Sequence, residues 1–226
     1  MRKTITKLLL GIFVALAFIS CREDEVIFLS SDKSVAAPRS DGNIEGFYLL
    51  NEGNMGMNRA SIDVFNYRTG NYTTDVYSER NPTVVKELGD VGNDIKIYGN
   101  KVYAVINCSN KVEVIDKWTS KRIKKIDIPN CRYVAFYKDK AYVSSYSGPV
   151  AINPNAEIGF VAEIDTTSLE IKRKVNVGYQ PEQMVVHNGK LYVANSGGYR
   201  VPNYDRTVSV IDLATFTEIK KIDVGI

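Results

Sequence analysis

The sequence predicts an all-β fold, a β-propeller of four-stranded antiparallel blades, and three observations carry that reading. Apolar residues recur with a period of two rather than 3.6, in runs of about five residues bounded by Asn-Gly and similar turn signals. A marker of Lys, an aliphatic residue and Tyr recurs at 101–103, 140–142 and 190–192. An Ile-Asp pair recurs at 115–116, 164–165 and 211–212, with its aspartates 49 and 47 residues apart. A repeat of roughly 40–50 residues holding four strands has the size of a propeller blade. Helical solenoids fail on the period, and an immunoglobulin-like array needs about seven strands per unit.

The last repeat, residues 181–225, displays the plan most plainly. Strands are predicted over 183–187, 190–194, 207–212 and 216–224, with a tight turn at Asn188-Gly189 and a long polar loop over 195–206. The earlier repeats occupy 44–78, 92–129 and 131–178, so the propeller spans 44–226. The aspartates that close the third strands are read as turn caps that accept backbone N–H groups. The Ile-Lys-Lys-Ile rhythm at 123–126 and 219–222 reads as an outer edge strand whose lysines discourage edge pairing.

The first repeat begins at the second-strand position, 47–50, and has no first strand of its own. In ring-closing propellers a strand from the C-terminus fills that place. Seven blades at this period need roughly 300 residues or more. The expectation is therefore a fragment of a seven-bladed ring, with a four-bladed ring or an assembly of two halves as the alternatives.

Residues 1–20 read as a leader rather than as fold. Arg2, Lys3 and Lys7 precede an apolar run over 8–19, too short for a comfortable membrane span. The run ends at Phe18-Ile19-Ser20-Cys21, which resembles a bacterial lipobox and would make Cys21 the lipidated first residue of the mature protein. The acidic Glu23-Asp24-Glu25 beyond it is similar to the surface-export signal of Bacteroidetes lipoproteins, and residues 21–43 have linker composition. Three of the 29 basic residues lie in the leader, leaving 26 against 26 acidic ones. A chain of balanced charge with no basic block offers no footprint for nucleic acid.

The first-to-second and third-to-fourth turns are short and share one face. The second-to-third loops and the connections between repeats share the other, and there the length varies. Tyr to Asp spans 13, 23 and 20 residues in the second, third and fourth repeats. Variable loops on a rigid scaffold are where binding residues are expected. The candidates on that face are Asn51, Asn54, Met55, Asn107, Ser109, Arg132, Tyr133, Tyr146, Tyr179, Gln180, Gln183, Asn195, Tyr199 and Tyr204. Rich in amides and tyrosines, the set suits a polar neutral ligand, with aromatic faces supplying area and amides supplying direction. Cys108 and Cys131 fall on the same face and either pair or remain free thiols. The single histidine, His187, falls beside the Asn188-Gly189 turn on the opposite face. No catalytic constellation is visible, and no cofactor is required. A calcium-dependent hydrolase built on Glu52, Asn107 and Asn195 is the enzymatic alternative, and a protein-interaction scaffold is the other.

The stretches 102–129 and 191–225 resemble the YncE-like, surface-layer-type seven-bladed propellers. Leu49-Leu50-Asn51-Glu52-Gly53-Asn54, followed by Ser61-Ile62 on a chain with a lipoprotein-like leader, further resembles the BtuG-type surface proteins of Bacteroides. That resemblance implies a lipid-anchored outer-membrane protein facing the cell exterior. It would bind cobalamin or another corrinoid and pass it to a TonB-dependent transporter.

Overall fold

The computed structural model describes residues 30–39, 42, 44–84 and 87–225. The leader, Cys21 and the acidic run after it lie outside the described residues. Sixteen strands and one short helix are described. The strands form four separate four-stranded antiparallel sheets, so the chain is a run of propeller blades.

Blade two orders its strands in sequence: β5 (Gly92–Tyr98), β6 (Lys101–Ile106), β7 (Lys111–Asp116) and β8 (Arg122–Asp127). Blade three repeats this with β9 (Cys131–Tyr137), β10 (Lys140–Ser145), β11 (Phe160–Asp165) and β12 (Ile171–Asn176). Blade four does so with β13 (Pro181–His187), β14 (Lys190–Asn195), β15 (Thr207–Asp212) and β16 (Thr217–Asp223). The first strands, β5, β9 and β13, lie against one another and form the inner layer.

Blade one differs. It has β2 (Gly46–Asn51), β3 (Ser61–Asn66) and β4 (Asn71–Thr74), and its strand order is β1-β4-β3-β2. Among the described residues β2 has a strand partner on one edge only, β3. The added strand, β1 (Ser31–Ser34), lies in the stretch read as linker and pairs outside β4. Its sequence, Ser-Asp-Lys-Ser, has no apolar alternation. The pairing rests on backbone bonds and short polar contacts such as Ser31 Oγ to Thr74 Oγ1 at 3.0 Å, which period reading cannot detect. The helix α1 (Val76–Arg80) was not foreseen either; it buries Val76 and Tyr77 between blades one and two.

The repeated markers have physical roles. Asp116 Oδ1 accepts the N–H groups of Trp118 and Thr119 at 3.0 and 2.8 Å. Asp165 and Asp212 do the same for 167–168 and 214–215, and Asn66 does so for 68–69. Four residues after each comes a positive φ: Gly70, Ser120, Leu169 and Phe216. A left-handed residue closes the turn and starts the outer strand one residue out of step. Phe216, read as the first residue of a strand, is thus a turn residue. Leu169 and Phe216 tolerate the left-handed backbone because their side chains plug the cores between blades.

The tyrosine at the third position of β2, β6 and β10 packs toward the next blade; in β2 it is Tyr48, which matches the marker tyrosines in register. Tyr48, Tyr103 and Tyr142 belong to the cores between blades one and two, two and three, and three and four. Alternation along each strand then gives every sheet two apolar faces, one per neighbour. Tyr192, at the matching place in blade four, has no next blade among the described residues and is half-exposed.

Candidate functional site

The loop face is built by the starts of the inner strands. Each is entered through a left-handed residue: Val91 at φ 60, Asn130 at φ 39 and Gln180 at φ 48. Each then carries one extra residue relative to its partner strand, between Gly92 and Asp94, Cys131 and Val134, and Pro181 and Met184. Such bulges re-aim side chains that regular alternation would send into a sheet face. The residues re-aimed are Asn93, Arg132 and Glu182 with their neighbours.

These side chains knit the inner strands together across blades. Asn93 Nδ2 donates to the Arg132 carbonyl at 2.5 Å, and Asp94 Oδ2 accepts from Val134 N at 2.9 Å. Arg132 Nε lies 3.1 Å from Glu182 Oε2, both side chains being mostly buried. The other carboxylate oxygen of Glu182 accepts the hydroxyl of Tyr146 and lies 3.5 Å from Ser196 Oγ. The Arg132 guanidinium sits 4.9 Å above the Tyr146 ring. Burial, and then the Glu182 carboxylate, push the Tyr146 hydroxyl up, so it stays a neutral donor. Burial works against the Arg132 charge, but Tyr146 and Glu182 outweigh it and the net shift is upward.

Around this floor stand aromatic rings. Tyr199 lies 6.4 Å from Tyr146 between centroids, and Arg200 lies 3.5 Å above the Tyr179 ring. Gln180 Oε1 accepts the Tyr199 N–H at 2.6 Å, and Asp205 Oδ2 accepts that of Tyr179 at 2.8 Å. A cavity of about 90 Å³ opens beside Tyr146 and Gln180, walled by Gly148, Pro149, Asn153 and Glu157. A larger open groove, about 840 Å³, lies on the opposite face between the Trp118 turn and β2. It runs beside β2 of blade one, and among the described residues no buried ion pair comparable with the Arg132–Glu182 centre lines it. The loop face is therefore the better candidate.

The structure brings six of the predicted residues together: Arg132, Tyr133, Tyr146, Tyr179, Gln180 and Tyr199. Three of the predicted amides turn out to be architectural. Asn107 is buried and donates to the Cys131 carbonyl at 3.0 Å. Asn195 is buried and bonds Gly178 N, Thr207 Oγ1 and Ser209 Oγ. Gln180 is buried, and while it borders the small cavity its Oε1 holds the Tyr199 backbone in place. Asn195 ends β14 and Asn107 directly follows β6, and at these places a side-chain amide satisfies backbone groups of the neighbouring connection or strand. Asn51 donates to Ser61 Oγ, and Ser109 Oγ accepts from Asp90 N. Asn54 and Met55 lie on the exposed β2–β3 loop, while Gln183 and Tyr204 are exposed near the cluster.

Ser196, on the loop face, completes the site together with Glu182, Arg200 and Asp205, and these last three were not predicted. Glu182 and Arg132 are 50 residues apart, so no local spacing announces the pair. Cys108 and Cys131 are free thiols. Cys131 starts β9 facing inward, its Sγ 3.2 Å from the Lys111 carbonyl, while Cys108 lies in the turn after β6 beside Asn107 Oδ1. The amides imagined around an axial calcium are occupied by the fold, and among the described residues no group of three His, Cys, Asp or Glu is placed to hold a metal.

Solved structures share the fold. Hydrazine synthase of Kuenenia stuttgartiensis aligns with a TM-score of 0.56 at 18% identity, over 72% of this chain and 42% of that one. The WD40 β-propeller domain of Doa1 aligns at 0.50 and 13% identity, over 73% and 48%. The dihydro-heme d1 dehydrogenase NirN, in complex with DHE, aligns at 0.51 and 14% identity, over 77% and 35%. The chain thus spans less than half the length of each of these structures. No curated protein matches the sequence. The repeats from Glu45 onward do match one family along their whole length, and over residues 45–226 the chain belongs to the family described as domain of unknown function DUF5074.

Proposed function

We propose that this chain is a ligand-binding propeller whose loop face, centred on Arg132, Tyr146 and Glu182, takes a polar neutral molecule with amide or hydroxyl groups. The observation that carries the reading is the closed Arg132–Glu182–Tyr146 unit. Its charges neutralise each other inside the floor, and tyrosine faces are left around it. A floor without net charge and a rim of Tyr133, Tyr179, Tyr199 and Tyr204 suits broad, weakly charged ligands better than phosphates or nucleic acid.

The lipoprotein-like leader and the resemblance to BtuG-type proteins make cobalamin or a related corrinoid the first ligand to try. The protein would be anchored through Cys21 at the outer membrane, facing the exterior, and would hand its cargo to a TonB-dependent transporter. In this reading the corrinoid is cargo rather than cofactor, and the chain acts by binding rather than by catalysis. A second reading, a protein-interaction scaffold, is favoured by the exposed apolar loop residues Met55, Met57, Ile152, Val201 and Tyr204.

Calorimetry of the purified chain with cyanocobalamin tests the proposal. Saturable binding at micromolar ligand, weakened at least tenfold by Tyr199→Ala, is expected. Absence of heat and of co-migration at that concentration overturns the corrinoid assignment. Recovery of a defined outer-membrane partner in its place would favour the scaffold.

A further inference from the structure

The small cavity on the loop face lies between the β10–β11 loop and the entry to β13. Gly148, Pro149, Ala151 and Ala156 give it apolar walls, and Gln180 borders it from the blade-four side. The β10–β11 loop is held by the long loop of blade four. The Asn153 N–H donates to the Tyr199 carbonyl at 2.8 Å, and Asn203 Nδ2 donates to the Pro154 carbonyl at 3.3 Å. A water takes up about 30 Å³ of liquid, so a cavity of about 90 Å³ has room for about three, or for one short side group of a larger molecule.

Gln180 has one half of its amide in use and one half free. The residue is 1% exposed, and its Oε1 accepts the Tyr199 N–H at 2.6 Å. That bond fixes the amide, since only the oxygen can accept, and it turns Nε2 the other way. Nε2 bonds no described residue, yet it is not sealed from solvent, so it opens into the cavity. A buried donor without a partner costs free energy that an incoming acceptor recovers. The backbone points the same way. Gln180 holds a φ of 48, and the corresponding places of blades two and three carry Val91 and Asn130, so the left-handed turn does not itself demand glutamine. The second polar group is Glu157. It lines the same cavity but is exposed, so its carboxylate stands at the mouth, and it pairs with no cation among the described residues.

We infer that this cavity takes a terminal carboxamide of the bound molecule, its carbonyl oxygen accepting from Gln180 Nε2 and its N–H groups donating to the Glu157 carboxylate. A carboxamide carries its acceptor and its donors on separate atoms, which matches a donor at the inner end and an acceptor at the mouth. A ligand carboxylate would meet Glu157 as a like charge, and an ammonium would present donors to a donor. A hydroxyl places acceptor and donor on one atom and leaves most of the cavity unfilled. The inference rests on the ligand-binding reading of the loop face and adds to it the group by which the ligand is selected. Gln180 and Glu157 are then the residues that determine specificity.

The chain has two glutamines, Gln180 and the exposed Gln183, so isotopic labelling of the glutamine side-chain nitrogen gives one reporter signal and one control. The full chain in a mild detergent is titrated with propionamide, propionate and propanol and followed by heteronuclear NMR. The expected result is a saturable shift of the Gln180 signal with millimolar propionamide while Gln183 stays still. Affinity should be about tenfold weaker for propionate and for propanol, and about tenfold weaker for propionamide in Glu157→Ala. Glu157 is exposed, and circular dichroism checks that its variant folds. No Gln180 shift, an equal response to propionate or propanol, or an unchanged affinity in Glu157→Ala overturns the inference. Cyanocobalamin, titrated separately, keeps the two readings apart. Binding of propionamide without cyanocobalamin retains the subsite and removes the corrinoid. Binding of cyanocobalamin without a Gln180 response to propionamide retains the ligand-binding face and removes the subsite.

Discussion

Arg132 and Glu182 lie at the starts of neighbouring inner strands and meet at 3.1 Å beside Tyr146, so the pair fastens blade three to blade four where the loop face begins. Removing the cation leaves the carboxylate mostly buried without its partner. Arg132→Ala is expected to lower the unfolding free energy by about 2 kcal/mol. In a urea-denaturation cycle the Arg132→Ala/Glu182→Ala double variant should lose less than the sum of the single losses. Strict additivity would show that the two residues do not act together.

The marker tyrosines offer a comparison at equivalent positions. Tyr103 is enclosed between two blades, whereas Tyr192 faces outward. Truncation to Ala should cost about 3–5 kcal/mol at Tyr103 and about 1 kcal/mol or less at Tyr192. The Tyr103 hydroxyl is buried with no hydrogen-bond partner, and burial pushes it up to about 12. Tyr103→Phe removes that orphan group and should leave stability unchanged or raise it by about 1 kcal/mol. A large loss on Tyr103→Phe in thermal melts would show that the hydroxyl is satisfied after all.

The turn aspartates predict acid behaviour. Backbone N–H groups hold the Asp116 and Asp212 carboxyls below their ordinary value of 3.8, and Lys140 does so first for Asp165. A folded value below the unfolded one contributes stability that is complete above pH 3.8 and is lost as pH falls below it. Melting temperature should therefore drop steeply below about pH 4. Asp212→Asn, which can still accept the Ala214 and Thr215 N–H groups but does not titrate, should flatten that slope. An unchanged slope in the variant would place the acid transition elsewhere.

The cysteines predict a labelling order. Burial pushes the Cys131 thiol up to about 12, and Cys108 is raised less and half-buried. Mass-spectrometric mapping after alkylation at neutral pH should find Cys108 modified well before Cys131, which reacts only on unfolding. Equal labelling of the native protein would contradict the placement of β9.

The repeat architecture was legible because it rests on period-two alternation and on residues with a single dominant role. Lys-x-Tyr marks the plug of a junction, and the Ile-Asp pair marks a turn that needs a side-chain acceptor. The turns between outer strands were less legible. Left-handed Leu169 and Phe216 look like strand residues, since their burial repays the backbone strain and hides it from propensity. The site was legible only as a face. Asn at a loop margin signals both ligand contact and backbone satisfaction, and Asn107 and Asn195 proved to be the second kind. Glu182 was overlooked because its meaning depends on an arginine one blade away and on a bulge that turns both inward.

Strand β1 gives the fold a mechanical property. Tension entering from residues before Ser30 reaches β1 first, at the Ser31 end of a four-residue pairing with β4. Force applied at one end of so short an antiparallel pair breaks its bonds in succession rather than all together. The rim of blade one would peel away and lengthen the chain before any load arrived at the cores between blades. The outermost strand is then a shock absorber, and the loop face can hold its shape while the chain ahead of β1 is pulled.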